Sequence, residues 1–246
     1  MKYILILVFI FSHIVAEETK QKITLGLGSY VQTQPYTNVD SLVVPSPVIF
    51  FDNGLFYARW TRFGVYFLGE KNDDFSWGFS LTAQPRTYGY ESSDIQGMDK
   101  RESSFEGGLA FSMQKDQAWF EVMALTDMLD RYDSWILKTE LGYDFKLGDF
   151  DFYPSLIAIY QTSDFMNYYY GVTQKEATNR TESVYAPSSG MQYGVQTYIK
   201  YPLTKQLSAL VNLRADKLPS EATSSTIVND DYIYSGLASL IYTFEY

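Results

Sequence analysis

The final stretch, Asp231 to Tyr246, alternates residue by residue. Tyr232, Tyr234, Gly236, Ala238, Leu240, Tyr242, Phe244 and Tyr246 fall on one side, and Ile233, Ser235, Leu237, Ser239, Ile241, Thr243 and Glu245 on the other. A period of two predicts an extended strand, because successive side chains of a strand point to opposite faces. An open apolar edge at the end of a chain invites aggregation. The strand is therefore expected to close into a barrel whose aromatic face meets hydrocarbon.

The same alternation recurs along the chain. Over 22–30, Ile23, Leu25 and Leu27 oppose Thr24, Gly26 and Gly28, with the glycines inward. A polar loop over 32–44 precedes Pro45-Ser46-Pro47 and Val48-Ile49-Phe50-Phe51, and Asp52-Asn53-Gly54 predicts a tight hairpin turn. A return over 55–60, a turn around 61–64 and a run over 65–68 follow. After a charged turn at 70–74, Phe75, Trp77, Phe79, Leu81 and Ala83 face outward. Beyond a loop at 91–102, Phe105, Gly107, Leu109, Phe111 and Met113 face out against Glu106, Gly108, Ala110 and Ser112. A turn at 115–117, a strand over 118–126 and a loop over 127–133 lead to a strand with Trp135, Leu137, Thr139, Leu141, Tyr143, Phe145 and Leu147 outward. Its other face carries Lys138, Glu140, Asp144 and Lys146. Charges of alternating sign are costly in lipid and cheap in a hydrated lumen. A turn at 148–149 precedes a strand over 150–162, whose Pro154 is expected near a strand start or edge. The longest loop spans 164–190; then come strands on either side of 204–205 and a loop over 218–230.

Connections alternate short and long back from the C-terminus, as outer-membrane barrels alternate periplasmic turns with extracellular loops. Both termini at the periplasmic side require an even number of strands. The expected fold is all-β: one transmembrane antiparallel barrel of about 12 strands, which requires 55–68 to be two short strands rather than one, with 10 as the alternative. The terminal aromatic on the outward face also resembles the C-terminal signal of bacterial outer-membrane barrels.

Composition adds to this picture. The chain has 22 Tyr, 17 Phe and 4 Trp, in keeping with interfacial aromatic girdles. Residues 1–16 carry Lys2, an apolar run from Ile4 to Phe11, and Ala16 before Glu17-Glu18. This pattern predicts a signal peptide, leaving 17–246 as the barrel. Its removal takes away His13, the only histidine, and the chain has no cysteine. His-dependent triads, Cys nucleophiles, His or Cys zinc sites and disulfides are then excluded together, so no cofactor and no enzyme are expected. A net charge of −10 argues against a nucleic-acid partner.

The inward charges Glu106, Lys138, Glu140, Asp144, Lys146, Arg214 and Asp216 are candidates either to line a solute path or to fill a narrow barrel with ion pairs. Asp99 and Arg101 are expected on a loop that folds inward and pairs with lumen carboxylates. Tyr168-Tyr169-Tyr170 is expected in an interfacial girdle. Asp73-Asp74 and Asp230-Asp231 read as solvated pairs, and Asn179-Arg180-Thr181 as a surface loop.

Several stretches resemble the MipA/OmpV family. They are Pro45-Ser46-Pro47-Val48-Ile49-Phe50-Phe51-Asp52-Asn53-Gly54; Met98-Asp99-Lys100-Arg101-Glu102 before Gly107-Gly108-Leu109; Tyr169-Tyr170-Gly171-Val172-Thr173 with Tyr185-Ala186-Pro187-Ser188-Ser189-Gly190; and Tyr242-Thr243-Phe244. Their order and spacing match together over nearly all of 17–246. Ser225-Thr226-Ile227-Val228 departs from the Ser-Pro pair the family carries before its last strand. The resemblance implies an outer-membrane scaffold whose partners are a periplasmic lytic transglycosylase and a murein synthase, with outer-membrane lipid around a monomer. A small-solute diffusion channel and a surface adhesin acting through the loops remain the alternatives.

Overall fold

The structure, a computed structural model, describes residues 22–72, 75–87 and 89–245. The expected leader with His13, the Asp73-Asp74 pair and Tyr246 lie outside the described residues.

The strands are β1 (Lys22–Gln32), β2 (Leu42–Asp52), β3 (Phe56–Arg59), β4 (Arg62–Lys71), β5 (Phe75–Arg86), β6 (Ser104–Lys115), β7 (Ala118–Asp127), β8 (Trp135–Tyr143), β9 (Phe145–Leu147), β10 (Phe150–Gln161), β11 (Gly190–Pro202), β12 (Leu207–Lys217) and β13 (Tyr232–Glu245). Each pairs antiparallel with its neighbours, and β1 pairs with β13 through Leu25 and Tyr242 among others, so the sheet closes on itself. β8 and β9 follow one another along β10 in one register. Among the described residues the wall therefore has twelve staves.

Pro154 accounts for the break between β8 and β9. It lies inside β10 rather than at a start or edge, opposite the two residues where β8 gives way to β9. A proline has no N–H for the ladder, so the Tyr143 carbonyl opposite it goes without that donor, while Asp144 N–H points to the other side and donates to Gln117 O beside β7 at 2.8 Å. The uncertain region 55–68 forms two strands, with β3 only 4 residues long.

The alternation is realised in the wall. Leu27, Leu81, Leu156 and Leu240 are between 54% and 66% exposed on the outer face, while Ile136, Ile157, Leu237 and Ile241 are buried inside. An apolar belt of this extent in water would be an aggregation surface, whereas hydrocarbon wets it without cost. Among the described residues no helix is long and apolar enough to cross a membrane. At the turn end, Asp116 and Gly148 hold positive φ of 53° and 61°, which lets two-residue connections reverse the chain.

The opposite end carries segments 33–41, 89–103, 128–134, 162–189 and 218–231. Three short helices lie there: α1 (Ser163–Tyr170), α2 (Gln174–Arg180) and α3 (Ser220–Thr223). The longest loop is thus partly helical, against the expectation. Thr162 caps α1, and Thr173 with Glu176 forms a reciprocal capping box on α2. Tyr169 and Tyr170 are fully buried on α1, so the tyrosine run is no interfacial girdle. It forms core with Tyr36, Tyr132, Phe165 and Ile227, continuous with Leu125 and Ile136 of the upper lumen.

Candidate functional site

Side-chain pairs line the lumen at several levels, most of them along one strand or between neighbours. Lowest, β3 and β4 bring Arg59 and Arg62 onto Glu121 of β7. Arg59 Nη1 donates to Glu121 Oε1 at 3.0 Å, and Arg62 bonds the other oxygen. Glu121 is buried, so two cations share one carboxylate across the barrel. None of the three was a sequence candidate. Both arginines flank the turn expected around 61–64, and Glu121 is read as inward once the alternation of β7 is followed.

The expected inward charges are distributed unevenly. Lys138 and Glu140 lie two apart on β8, hence on one face, and meet at 3.1 Å. Ser155 Oγ donates to Glu140 Oε1 at 2.7 Å, and Gln196 Nε2 reaches the same oxygen at 3.2 Å. Arg214 and Asp216 repeat the i, i+2 arrangement on β12 at 2.6 Å, with Gln192 Nε2 donating to Asp216 Oδ1 at 2.9 Å. Near the loop end, Glu106 is 0% exposed. It takes bonds from Arg86, from Gln84 Nε2 at 3.0 Å and from Tyr132 OH at 2.9 Å. Asp144 sits near the turn end and accepts from Trp119 Nε1 at 3.1 Å. Lys146 is not brought to these groups: its side chain is 67% exposed at the rim and pairs with Asp151 at 3.2 Å.

Asp99 and Arg101 lie on a loop that does fold inward, but its partner is another loop and not a lumen carboxylate. Arg101 Nη2 donates to Glu176 Oε1 of α2 at 2.8 Å, and its Nε donates to Tyr168 O. Asp99 meets Lys175 at 3.0 Å in the open, while its N–H donates to Glu176 Oε1 at 3.0 Å. The reason is local geometry. The capping box already turns the Glu176 carboxylate back toward Thr173 N–H, at 2.8 Å, leaving its other oxygen facing the 89–103 loop. Burial by itself would raise the Glu176 carboxyl, but the backbone bonds from Thr173 and Asp99 and the Arg101 guanidinium together hold it below the usual range. Burial pushes the neighbouring Tyr90 hydroxyl up to about 12.

The arrangement holds shape. Among the described residues each buried carboxylate is paired or accepts several bonds, as buried charge requires. Among the described residues no group of His, Cys, Asp and Glu side chains could hold a metal ion. The groups missed from sequence, Arg86, Glu121 and Glu176, share one feature: their ion-pair partners are 20 or more positions away along the chain.

The profile of the family described as MltA-interacting protein MipA matches residues 25–244. A relative from Escherichia coli (strain K12), a putative outer membrane protein called YiaT, is 23% identical over 235 residues, covering 93% of this chain and 94% of its own. The MltA-interacting protein of the same strain is 24% identical over 230 residues, covering 92% and 90%. Among solved structures, the COG4313 outer membrane channel from Pseudomonas putida F1 matches with a TM-score of 0.47 at 11% identity, covering 93% of this chain and 97% of that one.

Proposed function

The chain belongs to the family of MltA-interacting protein MipA, and from that premise we propose that it is a non-enzymatic outer-membrane scaffold that engages a periplasmic lytic transglycosylase. The observation that carries the reading is the filled interior. The loop end carries a buried core of Tyr36, Phe165, Tyr169 and Tyr170, and below it Arg59 and Arg62 reach across to Glu121 while Lys138 and Glu140 pair along the inner face of β8. Small barrels packed with their own side chains are poor conduits. What such a barrel offers is two surfaces, and the relative named for its interaction with MltA directs attention to the periplasmic one.

On this reading the refolded protein, immobilised through an extracellular loop, retains a lytic transglycosylase from periplasmic extract, and crosslinks fall on the turn-end residues. Absence of any such partner removes the scaffold. Planar-bilayer recordings of the folded barrel give no steady conductance. A steady current that falls on replacing Lys138 or Arg214 transfers the function to solute diffusion.

A further inference from the structure

One part of the wall is not closed by backbone. β3 stops at Arg59 and β4 begins at Arg62, so this hairpin turns back well short of the loop end. β2 and β5 both continue past it. Among the described residues β2 has no ladder partner on that side from Leu42 to Val48, and β5 has none on its β4 side beyond Ala83.

The identity of the unpaired groups follows from the register. Trp60 N–H donates to Ile49 O at 2.8 Å, so Ile49 turns its polar groups toward β3. In an antiparallel strand every second residue does the same. Pro47, Pro45 and Val43 therefore turn theirs into the gap. Tyr66 N–H donates to Leu55 O, which leaves Phe63 of β4 bonded to Ala83 of β5, and the next residue of β5 to face the gap is Pro85. Three prolines stand where an N–H would have pointed at nothing. The edges thus present carbonyl oxygens, with Val43 as the sole N–H on the β2 side; Pro47 O already accepts from Ser46 Oγ at 3.4 Å, and those of Val43, Pro45 and Pro85 remain. The window has a floor and a lintel. The floor is the Trp60-Thr61 turn. The lintel is Gln32, whose Nε2 donates to Thr87 O at 2.7 Å and whose Oε1 accepts from Thr87 Oγ1 at 3.1 Å.

Trp60 lies against the inner side of the β2 edge. Its φ of 58° is unusual for a bulky residue, at a turn position ordinarily given to Gly. Its indole Nε1 donates to Ser46 Oγ at 2.8 Å and its ring packs edge-on against Tyr30 with centroids 5.4 Å apart. A large aromatic in a strained backbone is retained where its placement matters. Outside, Val43, Phe63 and Leu81 are exposed and apolar.

Unpaired carbonyls at membrane depth are tolerated only against protein or water. We propose that this window is a lateral binding slot for a single-chain amphiphile whose head group donates hydrogen bonds, such as a monoacylglycerol or a long-chain amine, with Trp60 as its inner stop. The edge itself selects the occupant. Acceptors favour hydroxyl or ammonium over phosphate or carboxylate, and a protein strand is refused because the prolines supply no donors for a ladder.

The test uses the folded protein in phosphatidylcholine vesicles with two photoactivatable diazirine probes, a monoacylglycerol and a plain alkane. The monoacylglycerol is expected to label segments 43–48, 60–61 and 84–87 about tenfold over the outer face of β8 and β10, the worth of two net hydrogen bonds. The alkane should spread evenly over the belt. Identical distributions for the two probes overturn the proposal, as does enrichment of the monoacylglycerol elsewhere. The absence of cysteine permits a second reading in which Pro47→Cys and Leu137→Cys are compared with a charged thiol reagent, barrel formation being checked by heat-modifiable migration. Faster reaction at the window supports a wetted edge; equal rates sink it. Trp60→Ala should increase labelling of Ser46 and Gln84, and an unchanged pattern removes Trp60 as the stop.

Discussion

The two ends of this barrel are built on different principles. At the turn end, connections of two to four residues reverse the chain, and ion pairs such as Lys146 with Asp151 and Lys22 with Glu245 stand at the rim. At the loop end, five segments and three helices converge on a core as dry as that of a soluble domain, with Phe165, Tyr169, Leu125 and Ile136 each at 0% exposure. The loop end is a small hydrophobic core threaded into a membrane scaffold. The turn end is only the place where strands reverse, which leaves it free to serve as a surface.

The sharpest way to break this contrast is at the joint between wall and cap. Glu106 on β6 holds Arg86 of β5 and Tyr132 of the 128–134 loop, and the Arg86 guanidinium lies 5.1 Å from the centre of the Phe165 ring of α1. Glu106→Ala removes the carboxylate that pairs with the buried Arg86 guanidinium, which costs about 3–5 kcal/mol. A corresponding fall in the urea midpoint of unfolding is the expected result. A midpoint within error of the parent's would mean that cap and wall are not joined there.

A smaller effect is expected one step outward. Arg101→Ala removes the donors to Glu176 Oε1 and Tyr168 O, a loss of about 2–3 kcal/mol borne by the cap. Protease cleavage should appear within 89–103 and 162–189 while the barrel keeps its heat-modifiable migration. If the whole barrel is lost instead, the two ends are not separate in energy.

Acid should act on the same contact. A carboxyl held below its usual 4.5 contributes stability that is fully present above that value and is lost as pH falls through the folded value. Limited pepsin digestion should therefore open the cap progressively as pH drops below 4.5, and Glu176→Gln should flatten the dependence. An identical acid profile in the variant would assign the transition to another group.

These tests bear on residues that the chain reveals to different degrees. The wall is legible because lipid imposes a period of two: Phe79, Leu81, Leu141 and Tyr242 face outward where alternation puts them. Pro154 is plain in the chain but lies inside a strand and not at its start or edge, because the wall tolerates the missing donor as a break in the pairing between β8 and β9. The helices were written in the chain as Thr162 and as Thr173 with Glu176, and were overlooked because a long loop between strands was read as structureless. The partners of Arg101 and Glu121 could not be read at all. Their contacts join residues 75 and 62 positions apart, and only closure of the barrel brings them together.

The smallest energetic change carries the most functional weight. Lys146 and Asp151 form an exposed pair, so Lys146→Ala should move unfolding by no more than about 0.5 kcal/mol. Stability and partner capture are thereby separated at this end. A scaffold that presents its turns to a transglycosylase should lose capture when charge is reversed at Lys146 and Lys205 together, with its unfolding curve unchanged. At the loop end the same reversal of exposed Lys100 and Lys175 should leave capture intact, because those side chains face the other side of the membrane. Equal loss from both ends would show general charge attraction, and loss from the loop end alone would turn the protein's working surface outward.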